Sequence, residues 1–158
     1  VNLNLRYKGF ELSMFGQGVT GTMVRFYQEQ AWAFSDNASP REFHLKRWTV
    51  DNPDPNAAYP RIYPRTSTHS TFNNKFSDFW LFDSDYFRIK NITFGYNFNK
   101  SQIQHLGVDA LKLYVSAENP FTIRADKRME DFDPETPSGR GTDTRGSSSI
   151  SLGVNLTF

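Results

Sequence analysis

The chain has 158 residues, with 18 Lys and Arg against 17 Asp and Glu, a net charge of +1 and no cysteine. Scattered basic residues leave no electrostatic footprint for nucleic acid, and without cysteine there are no disulfides, thiolate metal sites or thiol nucleophiles. Hydrophobic residues make up only 37% while aromatics reach 16%, and no run approaches the roughly 20 apolar residues of a membrane helix; a β-barrel escapes that test because its lumen positions and loops dilute the hydropathy.

The chain opens at Val1 with neither a Met nor an apolar leader, already in a strand-like pattern. The expectation is a piece of a longer polypeptide. Residues 1–7 alternate, with Val1, Leu3, Leu5 and Tyr7 on one face. Lys8-Gly9 is a two-residue turn signal, and Phe10, Leu12 and Met14 continue the alternation in a second strand over 10–19, so a β-hairpin is predicted. Phe15 breaks the parity, and Gly16 and Gly18 mark a bulge or a strand rim.

From Thr20 to Asp85 the character changes. This stretch carries Pro40, Pro53, Pro55, Pro60 and Pro64 and all three tryptophans, Trp32, Trp48 and Trp80. A short helix over 41–49, capped by Ser39, is the only element predicted in it. A connection of this length is rare in a compact domain and is usually functional or else a misassignment, and it is too aromatic to read as disordered.

Residues 86–98 return to strand, with Ile92, Phe94, Tyr96 and Phe98 on one face. Phe87 and Ile89 lie on the other parity, which predicts a bulge or a change of environment near Lys90-Asn91. Asn99 to Gly107 reads as one or two helical turns, capped by Asn99 or Ser101 and closed by Gly107. A strand follows over 111–118 (Leu111, Leu113, Val115, Ala117), then a polar stretch over 119–147. The last strand, 149–158, places Ile150, Leu152, Val154, Leu156 and Phe158 against Ser151, Gly153, Asn155 and Thr157. Such a strand fits a soluble sandwich with its apolar face inward, and equally a membrane barrel with that face toward lipid.

The connections separate these readings. Alternating antiparallel strands put the long gaps (20–85 and 119–147) at one end of the sheet and the short ones (Lys8-Gly9 and 99–110) at the other. Outer-membrane barrels are built this way, with short periplasmic turns, long external loops and a tilted-strand apolar band of roughly 25 Å. Tyr7, Phe10, Phe98 and Phe158 would then gather at the periplasmic rim, where aromatic girdles sit.

The segment D-S-D-Y-F-R-I-K-N-I-T-F-G-Y-N-F (83–98) resembles the motif that precedes the last strands of SusC/RagA-type TonB-dependent transporters. L-K-L-Y-V-S-A-E-N-P-F-T (111–122), D-F-D-P-E (131–135) and L-G-V-N-L-T-F (152–158) are similar to further family features in family order, as are Y-K-G-F-E-L-S (7–13), L-K-R-W-T (45–49), A-Y-P-R (58–61) and F-W-L-F-D (79–83). Glu118 and Pro120 stand where the family often has Gln and Leu. The resemblance spans nearly the whole chain. It implies the C-terminal part of a multi-pass β-barrel in the outer membrane of a Bacteroidetes-type bacterium. Barrels of this kind have about 22 strands and a plugged lumen, so five strands cannot close one, and the plug domain and TonB-contacting segment are expected upstream. The implied partners are a SusD-like lipoprotein lidding the pore, the TonB complex, outer-membrane lipid, and an oligosaccharide or peptide substrate.

Nothing in the sequence argues for catalysis. His44, His69 and His105 lack metal-ligand spacing and read as surface or loop histidines. Glu130, Asp131, Asp133 and Glu135 offer oxygen donors for calcium, but there is no EF-hand pattern and Pro134 reads as turn chemistry, so no cofactor is expected. Gly139, Gly141 and Gly146 make no phosphate loop, and Ser147–Ser149 lie in no nucleophile elbow.

The candidate ligand or partner contacts are aromatic loop residues: Trp32, Trp48, Tyr59, Tyr63 and Trp80, with Phe34 and Phe82 beside them. They read as a platform for sugar rings or a docking surface, or as the packing a long loop needs, which is the favoured reading. Leu152, Val154, Leu156 and Phe158 form the strand that, by the resemblance, the outer-membrane insertion machinery reads. The best overall reading is an all-β, five-strand wall segment of a nutrient importer, and the alternative is a soluble or surface β-sandwich that binds glycans through exposed aromatics.

Overall fold

The computed structural model describes residues 1–35, 39–136 and 146–158. In chain order its strands are β1 (Asn2–Tyr7), β2 (Phe10–Val19), β3 (Met23–Arg25), β4 (Leu81–Asp83), β5 (Tyr86–Asn97), β6 (Ala110–Arg124) and β7 (Ser149–Thr157). Two short α-helices, α1 (Thr68–Asn73) and α2 (Lys100–Ile103), lie between them. The chain divides into two compact units: residues 1–20, 86–123 and 146–158, and residues 21–85 and 124–145.

The first unit is an antiparallel sheet in the order β1-β2-β5-β6-β7. Tyr7 pairs with Phe10, so Lys8 and Gly9 alone close the first hairpin. Both have positive φ, 45° and 90°, as the favoured two-residue turn requires. The short connection after β5 contains α2, whose start is a capping box between Asn99 and Gln102. Gly107 then turns the chain at φ 67° toward β6.

The parity break in the sequence is a real register shift. Phe15 pairs with Asn91 but Gly16 pairs with Ile89, so Lys90 is the extra residue on β5. One inserted residue returns Phe87 and Ile89 to the face that Ile92 and Phe94 occupy. β6 runs on to Arg124, beyond the end expected at residue 118. Asn119-Pro120 breaks the sequence alternation there, yet Asn119 is held in place at φ 46° with its amide donating to Ser147 O at 3.2 Å.

One face of the sheet is apolar from edge to edge. Leu5 pairs with Leu12 and Leu12 with Phe94; across the other edge Leu113 pairs with Val154 and Val115 with Leu152. The opposite face is polar. Glu11 holds Arg6 on β1 at 3.1 Å and Lys112 on β6 at 2.5 Å. Lys112 spans the intervening strand because Gly95 has no side chain, and its methylenes cross the space a Cβ there would need.

The second unit has its own core. Val24 pairs with Phe82 in the two-stranded β3–β4 sheet, and Phe26 packs on Phe82 and on Phe132, each at 4.3 Å between ring centroids. Ala31, Phe43, Tyr59, Trp80 and Met129 complete the cluster. This core holds together the described residues of a long connection that has little regular structure. The helix expected over 41–49 is a single 3-10 turn, Glu42–Lys46, and its N-cap is Arg41 rather than Ser39. α1, which the sequence pattern did not suggest, starts on Ser67, whose hydroxyl accepts from His69 N.

Candidate functional site

The five aromatic candidates lie in the second unit, in different environments. Tyr59 and Trp80 are buried in the core cluster, Trp32 packs against its margin, and Trp48 and Tyr63 are half-buried. Local hydrogen bonds set them in place. Trp48 N donates to Tyr59 O at 2.9 Å, tying two distant parts of the connection together, and Trp80 Nε1 donates to Asn73 O at the end of α1 at 2.8 Å. Trp32, Tyr59, Tyr63 and Trp80 all line one small cavity of about 40 Å³. Trp48 does not. The indole N–H of Trp32 and the hydroxyl of Tyr59 are buried with no hydrogen-bond partner among the described residues, whereas the great majority of buried polar atoms are paired.

The electrostatics of this unit centre on His44, Tyr59, and the Asp126–Arg128 pair. His44 lies in the loop, as read, but is buried rather than superficial. Its Nδ1 accepts from Arg41 N at 2.9 Å and its Nε2–H donates to Ala31 O at 3.0 Å, a pattern that only the neutral ring can make. Burial holds its pKa below the usual histidine value, and the Arg41 and Arg47 charges act in the same direction. Burial also pushes the Tyr59 hydroxyl up to about 12, so it remains a neutral donor. Asp126 is opposed by its own burial, but hydrogen bonds from Arg128 outweigh it and hold the carboxyl below its usual range. That arginine in turn sits 3.9 Å over the Phe82 ring.

Asp85 closes the base of this unit. Its carboxylate accepts from Gly21 N at 2.9 Å and from Thr22 N at 2.8 Å, and from the Thr22 hydroxyl at 3.2 Å. Its backbone carbonyl accepts from Ala125 N at 3.0 Å. The D-S-D spelling at 83–85 was a signal that could have pointed to this, because Asp side chains commonly satisfy nearby backbone donors. Among the described residues, no group of three or more His, Asp and Glu converges on a metal site, the 130–135 acidic run included.

The insertion-strand candidates lie on the apolar face of β7 and just past its end. Leu152 is 85% exposed, Val154 59% and Phe158 86%. On neighbouring strands Leu5, Phe10, Phe94 and Leu113 of the same face are exposed as well. Contiguous apolar surface of this extent marks a face that meets lipid or protein.

No family model matches the chain. A curated relative, the TonB-dependent receptor P3 of Formosa agariphila, is 26% identical over 151 residues, which are 96% of this chain and 14% of that protein. Among solved structures, the RagAB peptide importer in its closed-closed state matches with a TM-score of 0.67 at 20% identity, covering 99% of this chain and 16% of that one. Its open-open state matches with a TM-score of 0.63 at 18% identity over the same shares. The chain thus spans about one seventh of the length of these proteins. Its antiparallel sheet has the fold of the matching segment of these structures, and the resemblance to the SusC/RagA-type TonB-dependent transporters read from its motifs holds over nearly the whole chain.

Proposed function

We propose that this chain is the C-terminal wall segment of an outer-membrane, TonB-dependent nutrient importer, taking up oligosaccharide or peptide beneath a SusD-like lipoprotein. In this reading β1, β2, β5, β6 and β7 are lipid-facing wall strands, and the connections at 21–85 and 124–145 are external. The plug and the TonB contact belong to upstream sequence. Substrate is captured between barrel and lid, and TonB-driven movement of the plug opens the path. The chain's own contribution is wall, loop surface and closing strand, with no chemical step. Trp32, Trp48 and Tyr63 are its candidate contacts to substrate or lid. Tyr59 and Trp80 act from beneath, as the packing that fixes those loops.

The observation that carries this reading is the uncovered apolar face of the five-stranded sheet. In water it would be an aggregation surface, whereas against lipid it is the stable arrangement. A soluble sandwich needs that face buried against a second sheet. The test is the intact mass and membrane fraction of the native polypeptide that contains Asn155-Leu156-Thr157-Phe158. A species several times heavier than 18.3 kDa, released from the outer membrane only by detergent, is the expected result. A freely soluble species near that mass would overturn the reading.

A further inference from the structure

Beside α1 the loop unit exposes two cations that no carboxylate neutralises. Arg25 lies 4.5 Å over the Phe76 ring and 5.5 Å over that of Tyr27, and Lys75 lies 4.3 Å over the Phe72 ring. Among the described residues neither forms an ion pair, although the exposed Asp78 is close to Lys75 in sequence. The apolar groups around them are just as open: Met23 is 71% exposed, Phe72 65% and Phe76 66%. We propose that this patch of Met23, Arg25, Phe72, Lys75 and Phe76 seats on the phosphate-bearing headgroups of the surrounding membrane lipid. The proposal rests on the import reading, which puts the chain in the outer membrane.

The local structure builds the patch. Val24 pairs with Phe82 and belongs to the core, so its neighbours Met23 and Arg25 both face outward from β3. At the end of α1, Lys75 N donates to Phe72 O at 3.2 Å, which keeps the ammonium beside that ring. Trp80 Nε1 donates to Asn73 O and so ties the same turn to the core. Phe76 follows Lys75 and meets Arg25, joining the strand and helix halves of the patch.

Three features select a lipid headgroup. The first is charge. Cations held over rings with no carboxylate partner keep their hydrogen bonds for an anion, and a guanidinium fork matches two oxygens of a phosphate. The second is mixture. Open Met and Phe side chains set among cations are the composition of segments that lie in a membrane interface, with apolar groups toward the acyl boundary and cations at the headgroups. A free anion would use the cations and leave those apolar groups in water. The third is reach. Met23 lies four residues beyond Val19, the end of β2, a span of at most about 14 Å. In the import reading β2 is a lipid-facing wall strand, so this tether keeps β3 within reach of the interfacial layer.

The test is native mass spectrometry of the intact detergent-purified transporter, titrated with lipid A and with dephosphorylated lipid A, alone and against sodium pyrophosphate or tetragalacturonate. The expected result is retention of lipid A in preference to its dephosphorylated form, by a margin that shrinks as salt is raised. The double variant Arg25→Gln/Lys75→Gln should weaken lipid A binding by about tenfold or more and leave the dephosphorylated lipid unaffected. Met23→Ser/Phe76→Ser should weaken both lipids, and Lys8→Gln, at an exposed cation in the β1–β2 turn, should weaken neither. Three results would overturn the proposal: equal retention of the two lipids, the Arg25/Lys75 variant holding lipid A as wild type does, or Lys8→Gln weakening it as much. Pyrophosphate or tetragalacturonate displacing lipid A at comparable concentration would also overturn it, by assigning the cations to a soluble anion. Heat-modifiable gel mobility of the same samples reports barrel assembly, so an assembled barrel that fails to hold lipid A sinks only the lipid contact, whereas absence of a membrane barrel sinks the import reading.

Discussion

The ring of Tyr114 on β6 occupies the space that a side chain at Gly153, its register partner on β7, would fill. Glycine in a strand loses packing and costs backbone entropy, and an aromatic ring laid over it restores the contact. The two residues should therefore be energetically coupled. In a double-mutant cycle, Tyr114→Ala and Gly153→Ala together should cost less than the sum of the singles, by about 0.5–1 kcal/mol. Urea unfolding of the detergent-solubilised barrel measures this, and strict additivity would show that the pairing is incidental.

Asp85 should act as a clasp for the long connection over residues 21–85. Replacing it with Ala removes an acceptor shared by Gly21 N and Thr22 N, and Asp85→Asn keeps an acceptor without its charge. The expected order of resistance to limited proteolysis within residues 21–85 is wild type, then Asn, then Ala. Those backbone hydrogen bonds hold the Asp85 carboxyl below its usual range. The folded pKa is depressed, so the stabilisation is present above the ordinary carboxylate value and is lost as pH falls through the folded one. Proteolysis that is equal in all three proteins at neutral pH would remove the clasp.

His44 should make the same unit acid-sensitive at milder pH. Its folded pKa is also depressed, below the ordinary histidine value. The neutral ring's two hydrogen bonds are thus fully present above about pH 6.5 and are lost as pH falls through the lower folded value. Facing groups are Arg41 and Arg47, neither of which titrates in this window. Tryptophan-fluorescence melts should show a lower transition temperature for the loop unit at pH 5 than at pH 7.5, and His44→Gln should flatten that difference. A pH-independent wild-type transition would contradict the hydrogen-bond assignment.

The two faces of β7 should respond oppositely to charge. Val154 lies on the apolar face, paired with Leu113, and Ser151 on the polar one, paired with Ser116. Val154→Arg should cost about 2–4 kcal/mol if the position lies near mid-membrane, whereas Ser151→Arg on the lumen side should be tolerated. Folded fraction on heat-modifiability gels after outer-membrane extraction checks this. Equal losses at both positions would argue against a lipid-facing wall.

Deletion of Phe158 should lower the amount of assembled barrel in outer membranes. Phe158 follows β7 as an exposed aromatic, and the proposal that this strand is read during insertion rests on the family resemblance. Quantitative blotting of the membrane fraction, set against total synthesis, provides the measurement. An unchanged assembled yield would mean that the strand without its last aromatic suffices.

The sequence by itself determined the wall. Period-two alternation fixes which side chains share a face, and the parity break at Phe87–Ile92 marked where a bulge or a change of environment had to lie, because one extra residue inverts every side chain beyond it; the register at Lys90 shows that it is a bulge. The Lys8-Gly9 turn and the capped α2 connection were legible for the same reason: short-range chemistry with few alternatives. The loop unit was not. Its core joins Phe26, Phe43, Phe82 and Phe132, residues far apart in the chain with no shared period, so nothing local predicts that they meet. Tertiary packing alone decided that Tyr59 and Trp80 are buried while Phe34 is exposed, that His44 is neutral between two backbone groups, and that Arg25 lies over Phe76. A repeat in a strand writes its geometry into neighbouring residues, whereas a site assembled from loops is written in long-range contacts, and those exist only once the chain has folded.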